Sequence, residues 1–293
     1  SALIGASPAT RLVILLFGRA VLGVGESLLI TGALSWCLLV VGPGFSGRAL
    51  VWVGIAMYGA VAVGAPLGTA LAAQHGFAAV AVAALLVPLM AAGLAAAMSA
   101  IPSTQGKRLG FHTVVARIWP YGLAATLSTF GFGVLFAFLG LDFASKGWTG
   151  ASYGLTAFGG GYVSSRLLFG DYPDRFGGRA VTRVTVPAQV LALLTLWLAT
   201  GEWIAFMGAF LLGASYSLTF PSLGVEALKR VPAQNRGAVM SALVAFSDIG
   251  LGVAGPVAGL VVELSGYASV FLAGAVAAGI ALLAASRFPV TTR

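Results

Sequence analysis

Runs of about 20 apolar residues, each ended by Pro, Gly or a few charges, recur along this chain and limit what it can fold into more than any other feature. Crossing a hydrocarbon layer ~30 Å thick takes about 20 residues at ~1.5 Å of helical rise each. Membrane-barrel strands would instead be ~10-residue segments of alternating polarity, and FAAVAVAALLVPLMAAGLAAAMSAI, 77–101, does not alternate. The fold class read from this is all-α: a polytopic membrane helical bundle. With 59% hydrophobic residues, 8% charged and a mean hydropathy of +1.00, too few charges are available to coat a soluble domain.

Length and breakers predict nine spans, roughly 12–41, 49–73, 77–101, 118–142, 151–170, 180–200, 203–228, 238–262 and 268–287. The one long polar connection is PSTQGKRLGFHTVVAR, 102–117. It divides the chain into three helices over 1–101, an inter-half loop over 102–117 and six helices over 118–293. The first run begins near Leu12 without a basic n-region, unlike a cleavable signal peptide, and Ser1 leads to the expectation that the native start lies upstream. Cys37 is the lone cysteine and lies in an apolar run, with no partner for a disulfide or metal site.

The net charge of +8 sits in short turns rather than on a basic face, which argues for membrane topology and against nucleic acid. Alternate connections carry Arg48; Lys107, Arg108 and Arg117; Arg175, Arg179 and Arg183; Lys229, Arg230 and Arg236; and Arg287 and Arg293 follow the last helix. The opposite set carries only Arg11 and Lys146. By the positive-inside rule, the loop over 171–179 and the C-terminus are cytoplasmic.

Landmarks recur at a fixed spacing of 190 residues: Gly18 and Gly208, Gly23 and Gly213, Ser27 and Ser217, Gly47 and Gly237, Pro66 and Pro256, Gly76 and Gly266. GAPLG (64–68) thereby pairs with GPVAG (255–259), and each Pro is followed ten residues later by GF or GY. Helices one to three thus repeat as helices seven to nine. Two six-helix halves with three helices missing at the N-terminus give this arithmetic, hence nine helices of an expected twelve.

Four motifs resemble the major facilitator superfamily, beginning at its fourth helix. GRAVLGVGESL (18–28) resembles the fourth-helix motif. GAPLG resembles the Gly-Pro motif of the fifth, with Ala65 where Gly is usual. GDYPDRFGGR (170–179) is similar to the signature of the loop after helix eight, with Gly170, Asp174, Arg175, Gly177 and Arg179 in place. SDIGLGVAGPVAG (247–259) resembles the eleventh helix of small-molecule exporters, notably an arabinose-efflux-like bacterial branch. The resemblance implies a monomeric secondary transporter of the cytoplasmic (inner) membrane, working by alternating access on a small molecule, with no cofactor.

The residues themselves suggest roles. The loop pairs small residues for close helix approach with an acid suited to a helix N-terminus, so Asp174 is expected near Arg48 to Val51 as a latch that forms in one state and breaks in the other. The competing reading is a solvated turn whose arginines only set topology. Glu26, mid-helix, is a candidate for carrying the coupling proton, since an ionisable group there costs about 3 kcal/mol or more without water or a partner. Arg19 shares its helical face but lies ~10 Å away along the axis. Asp248, also near mid-membrane, suits a switch between halves or a hydrogen bond to backbone freed by glycines. Arg166, one turn from its helix end, reads as snorkelling to the interface. Gly64, Pro66, Gly68, Gly255, Pro256 and Gly259 are read as helix-packing positions. Trp36, Phe132, Phe136, Tyr216 and Phe220 are candidate cavity-lining aromatics.

Enzymatic readings find little support. GLGVAG (250–255) matches a dinucleotide-binding pattern, but inside an apolar span with no preceding strand. His75 and His112 stand alone, without metalloprotease spacing, and there is no GxSxG and no nucleotide-binding P-loop. The reading is therefore a proton-coupled exporter of a small organic molecule. The alternatives are proton-coupled uptake of a sugar or similar solute and, from another class, a membrane scaffold or intramembrane enzyme. The topology is tested with single cysteines in a Cys37→Ser background: an impermeant thiol reagent added outside intact cells should label position 265 and spare position 172. The reverse pattern would refute the orientation.

Overall fold

The computed structural model describes residues 7–41, 46–97, 110–232 and 235–286. Its helices run α1 (Pro8–Val41), α2 (Ser46–Ala96), α3 (Phe111–Ser145), α4 (Ala151–Phe169), α5 (Tyr172–Phe176), α6 (Gly178–Trp197), α7 (Glu202–Leu228), α8 (Arg236–Ser265) and α9 (Ser269–Ser286). The short α5 is a loop turn, while α2 is two helices joined at Gly76, so the nine expected spans are all present as helices. Among the described residues six helices are both long and apolar enough to cross a membrane, and one of these stretches, Trp52–Ala96, is long enough to do so twice.

The break in α2 shows why the chain turns there. Gly76 has φ 77° and ψ 175°, a region open in practice to glycine alone. Gly266, between α8 and α9, has φ 81° and ψ 172°. The two glycines that the 190-residue repeat pairs thus make the same backbone turn.

The described residues form two units. One contains α1 and the beginning of α2 through Val53; the other contains α2 from Gly54 and all the later helices. In the second unit α7 packs between α4 and α6, and α3 packs against α8 and α9. Glycines set these spacings. A Cβ at Gly213 would collide with the Phe158 carbonyl and one at Gly161 with the Phe210 carbonyl, so α4 and α7 meet backbone to backbone. Gly250 does the same for α8 against the Thr126 carbonyl of α3.

Two apolar cores result. One, built on Phe130, Leu135, Phe143, Phe158, Leu193, Leu212 and Phe271, fills the middle of the helices and the end where α3 finishes. The other, with Val114, Ile118, Leu223, Val239 and Leu243, closes the end where α3 and α8 begin. Outward faces are apolar as well: Val184 and Leu191 of α6 and Trp203 and Met207 of α7 are all at least 60% exposed, as contact with lipid tails requires.

If the Gly266 turn is a glycine-only conformation, Gly266→Ala should lower the thermal stability of the solubilised protein, by about 1–3 kcal/mol. Gly279→Ala, in the interior of α9 with open space around the new methyl, should be neutral or stabilising by up to about 1 kcal/mol. Equal melting of the two variants would remove the special role of the turn.

Candidate functional site

The loop signature forms a tight corner. Gly170 caps α4, Pro173 is buried in the first turn of α5, and Gly177 at φ 83° redirects the chain into α6. Gly178 then lies so close to the Ser222 carbonyl of α7 that a side chain there would collide with it. Asp174 is exposed, with its backbone N–H donating to the Asp171 carbonyl at 3.1 Å. Arg175 pairs with Asp171 at 2.8 Å on the surface, a contact of small energetic weight. Arg48, the expected partner region of Asp174, belongs to the other unit, and its side chain lies outside the described residues.

The acid at the N-terminus of α6 is one the sequence did not single out. Glu226 of α7 accepts a hydrogen bond from the Arg179 backbone N–H at 3.2 Å and an ion pair from Lys229 at 2.7 Å. A carboxylate there meets both the unpaired N–H groups and the positive end of the helix dipole. Its position near the end of α7, three residues before Lys229, was the available signal.

Deeper in the second unit, α2, α3, α4 and α7 bring six aromatic rings together. Tyr58 stacks on Tyr162 at 3.8 Å, and Phe132 stacks on Tyr216 at 4.9 Å with only 3° between planes. Phe136 lies 4.5 Å from Phe132 and meets Phe158 edge-on at 5.4 Å. Of the aromatics expected to line a cavity, Phe132, Phe136 and Tyr216 therefore meet. Phe220 lies apart, against the core at the opposite end, and the side chain of Trp36 lies outside the described residues. Tyr58, Phe158 and Tyr162 were missed, although Phe158, Tyr162 and Arg166 follow at i, i+4 and i+8 on one helical face.

Polar groups border the rings. The Tyr216 hydroxyl is 3.2 Å from Thr129 Oγ1, and Asp248 of α8 is within electrostatic reach of the same tyrosine. Arg166 corrects the snorkelling expectation: it is 7% exposed and its Nη1 donates to the Ser217 carbonyl at 2.8 Å. The side chain turns inward because α7 offers a carbonyl there. Beside the rings, the Ser128 hydroxyl donates to Gln189 Oε1 at 2.6 Å, Gln189 Nε2 to Thr219 at 2.9 Å, and Thr219 to Thr185 at 2.9 Å. This chain ties α3, α6 and α7 together in a region where Gln189 is fully buried.

The remaining candidates are more dispersed. Glu26 is exposed near the middle of α1 in the first unit, and the side chain of Arg19 lies outside the described residues. Pro66 and Pro256 lie within α2 and α8. A Cβ at Gly64, Gly68, Gly255 or Gly259 would meet nothing within 4 Å, so the close contacts anticipated there are not made among the described residues. Asp142, unremarked in the sequence, is buried at the other end of α3 and pairs with Lys146 at 2.9 Å, whose ammonium lies over the Trp148 ring.

A multi-pass helix bundle with an aromatic and polar interior and a charged corner loop between α4 and α6 defines the class as a membrane transporter fold. Residues 121–293 match the family profile of the Major Facilitator Superfamily. The uncharacterized MFS-type transporter YhhS of Escherichia coli K12 is 42% identical over 276 residues, 94% of this chain and 68% of the relative. An uncharacterized MFS-type transporter of Burkholderia pseudomallei strain 1106a is 41% identical over 279 residues, with the same coverage. Among solved structures, the transporter FucP in its outward conformation superposes with a TM-score of 0.53 at 18% identity, covering 73% of this chain and 53% of FucP. This chain thus spans about half the length of that structure. The chain belongs to the Major Facilitator Superfamily.

The buried Ser128–Gln189–Thr219 contacts make a counterintuitive prediction. Gln189→Leu makes the chain more apolar yet strands the buried Ser128 hydroxyl, at about 1–3 kcal/mol, and removes the donor to Thr219, which keeps its own bond to Thr185. Its thermal unfolding midpoint in detergent should fall by several degrees, and an unchanged or raised midpoint would contradict the network.

Proposed function

We propose that the protein is a secondary active transporter of the cytoplasmic membrane that exports a small organic molecule in exchange for protons by alternating access. The observation that carries this reading is the interior of the second unit: six rings bordered by Arg166, Thr129 and Asp248 within a bundle whose outer faces are apolar. A scaffold in lipid has no need of such groups, and they are suited to hold a solute shielded from the bilayer. The transporter works as a monomer of two halves, with 1–101 in one, 118–293 in the other and 102–117 as the cytoplasmic link. The shared conformation of Gly76 and Gly266 supports that repeat.

Glu26 carries the coupling proton. It is an acid near the middle of a membrane helix, and a carboxyl that alternates between dry and wet surroundings takes up and releases a proton as access alternates. Arg19 assists from the same face of α1. Asp248 acts as a switch residue, supported by its proximity to Tyr216 and by the tight seating of Gly250 on α3 two residues later. Asp174 serves as a conformational latch within Gly170, Asp174, Arg175, Gly177 and Arg179.

One assay tests these assignments: the complete transporter in proteoliposomes, with internal pH and solute flux followed together. Proton movement opposite to the solute is expected, and movement in the same direction would establish uptake instead. Glu26→Gln should abolish proton-driven flux while sparing solute exchange; Asp248→Asn should impair both; Asp174→Asn should slow transport without loss of folded protein. Retained proton coupling in Glu26→Gln would move the role to another acid.

A further inference from the structure

Arg166 is a buried cation that forms no ion pair among the described residues. The ion pairs among them join Lys146 to Asp142, Arg175 to Asp171 and Lys229 to Glu226. Its Nη1 is taken up by the Ser217 carbonyl, but Nε, also shut off from solvent, has no hydrogen-bond partner among the described residues. Removing a guanidinium from water without an anion is costly, and leaving one of its donors unmade adds to that cost. Such a group persists where something beyond the described residues completes it.

The surroundings indicate what that is. Gly54 of α2 faces the arginine. A Cβ there would come within 3.1 Å of the Tyr162 hydroxyl and 3.8 Å of Nε, so the missing side chain keeps the approach to both donors clear. The Tyr58 and Tyr162 phenols lie within electrostatic reach of the guanidinium. The Tyr58 hydroxyl is hydrogen-bonded to Tyr216, which leaves the Tyr162 hydroxyl beside the planar cationic fork, a pairing that matches the oxygens of a carboxylate or a related oxyanion. Next to them is the half-buried ring of Phe132, which offers apolar surface and no charge.

We propose that Arg166 is the anion-binding group of the transport site and that the substrate is a small organic oxyanion with an apolar or ring-bearing body. The oxyanion sits against Arg166 Nε and the Tyr162 hydroxyl, and the body lies toward Phe132. This assignment rests on the transporter reading for its meaning, but its test does not.

The test compares each anion with its neutral amide of the same shape: benzoate with benzamide, cyclohexanecarboxylate with its carboxamide, and hexanoate with hexanamide. Binding is measured by calorimetry on the complete protein in lipid nanodiscs. A charge-assisted contact of this kind should favour at least one anion by about tenfold or more. Arg166→Gln should bring that ratio close to one, and Arg166→Lys should keep part of it. Gly54→Val, which leaves the charge in place and fills the approach, should weaken anion binding. If Arg166→Gln does not fold, an unchanged ratio in both Arg166→Lys and Gly54→Val overturns the proposal. A wild-type ratio near one for every pair overturns it too, as does inorganic phosphate binding as tightly as the organic anions. Anion preference without flux in proteoliposomes would keep the site and refute the transporter reading; flux of a solute without anion preference would do the reverse.

Discussion

Lipid offers no hydrogen bonds, and most of this structure follows from that. Every backbone N–H and C=O in a spanning segment must be satisfied within the segment, so the chain becomes a series of helices. Polar side chains must then find partners inside the bundle. The fold of α6 is inverted relative to a soluble helix for this reason: Val184 and Leu191 point outward, whereas Thr182, Thr185 and Gln189 are buried and bonded. Hydrophobicity drives the helices into the membrane but does little to hold them to one another, since lipid tails are as apolar as leucine.

What holds them is close approach. At Gly161 and Gly213 the backbones of α4 and α7 come into contact, and at Gly250 α8 does the same with α3. Close backbones multiply van der Waals contacts and bring short side chains within reach of the neighbouring helix. Thr126 shows the second effect, its hydroxyl donating to the Phe246 carbonyl at 2.7 Å across α3 and α8. Packing and polar bonding therefore share one geometric cause, and a methyl group at any of these glycines would disturb both.

The same closeness creates the interior ring cluster. Because α4 lies tightly on α7, the face carrying Phe158, Tyr162 and Arg166 is pressed toward Tyr216 and Ser217, and Tyr58 of α2 stacks on top. At the corner loop a related economy applies, as Gly178 lets α6 begin against α7 so that Glu226 reaches its first N–H groups. Two acids near α6 then differ in kind: Glu226 is held by hydrogen bonds, while Asp174 remains exposed on the turn.

The sequence by itself determined the helices, their number and their breaks, because apolar run length is a one-dimensional property and lipid leaves no other way to satisfy the backbone. It also revealed the repeat, since the backbone turn at Gly76 and Gly266 admits only glycine whatever surrounds it. Phe132, Phe136 and Tyr216 were legible as a group because large aromatics on neighbouring spans are natural lining. Their separation from Phe220 was not, nor was the inclusion of Tyr58 and Tyr162. Helix rotation decided those, and rotation depends on which glycine meets which backbone. Arg166 makes the difference plain. In the last turn of its helix it reads as a side chain reaching for water, and only the Ser217 carbonyl on another helix turns it inward. Partners brought together across 51 residues of sequence are a product of packing, so tertiary structure alone could decide that this charge is buried.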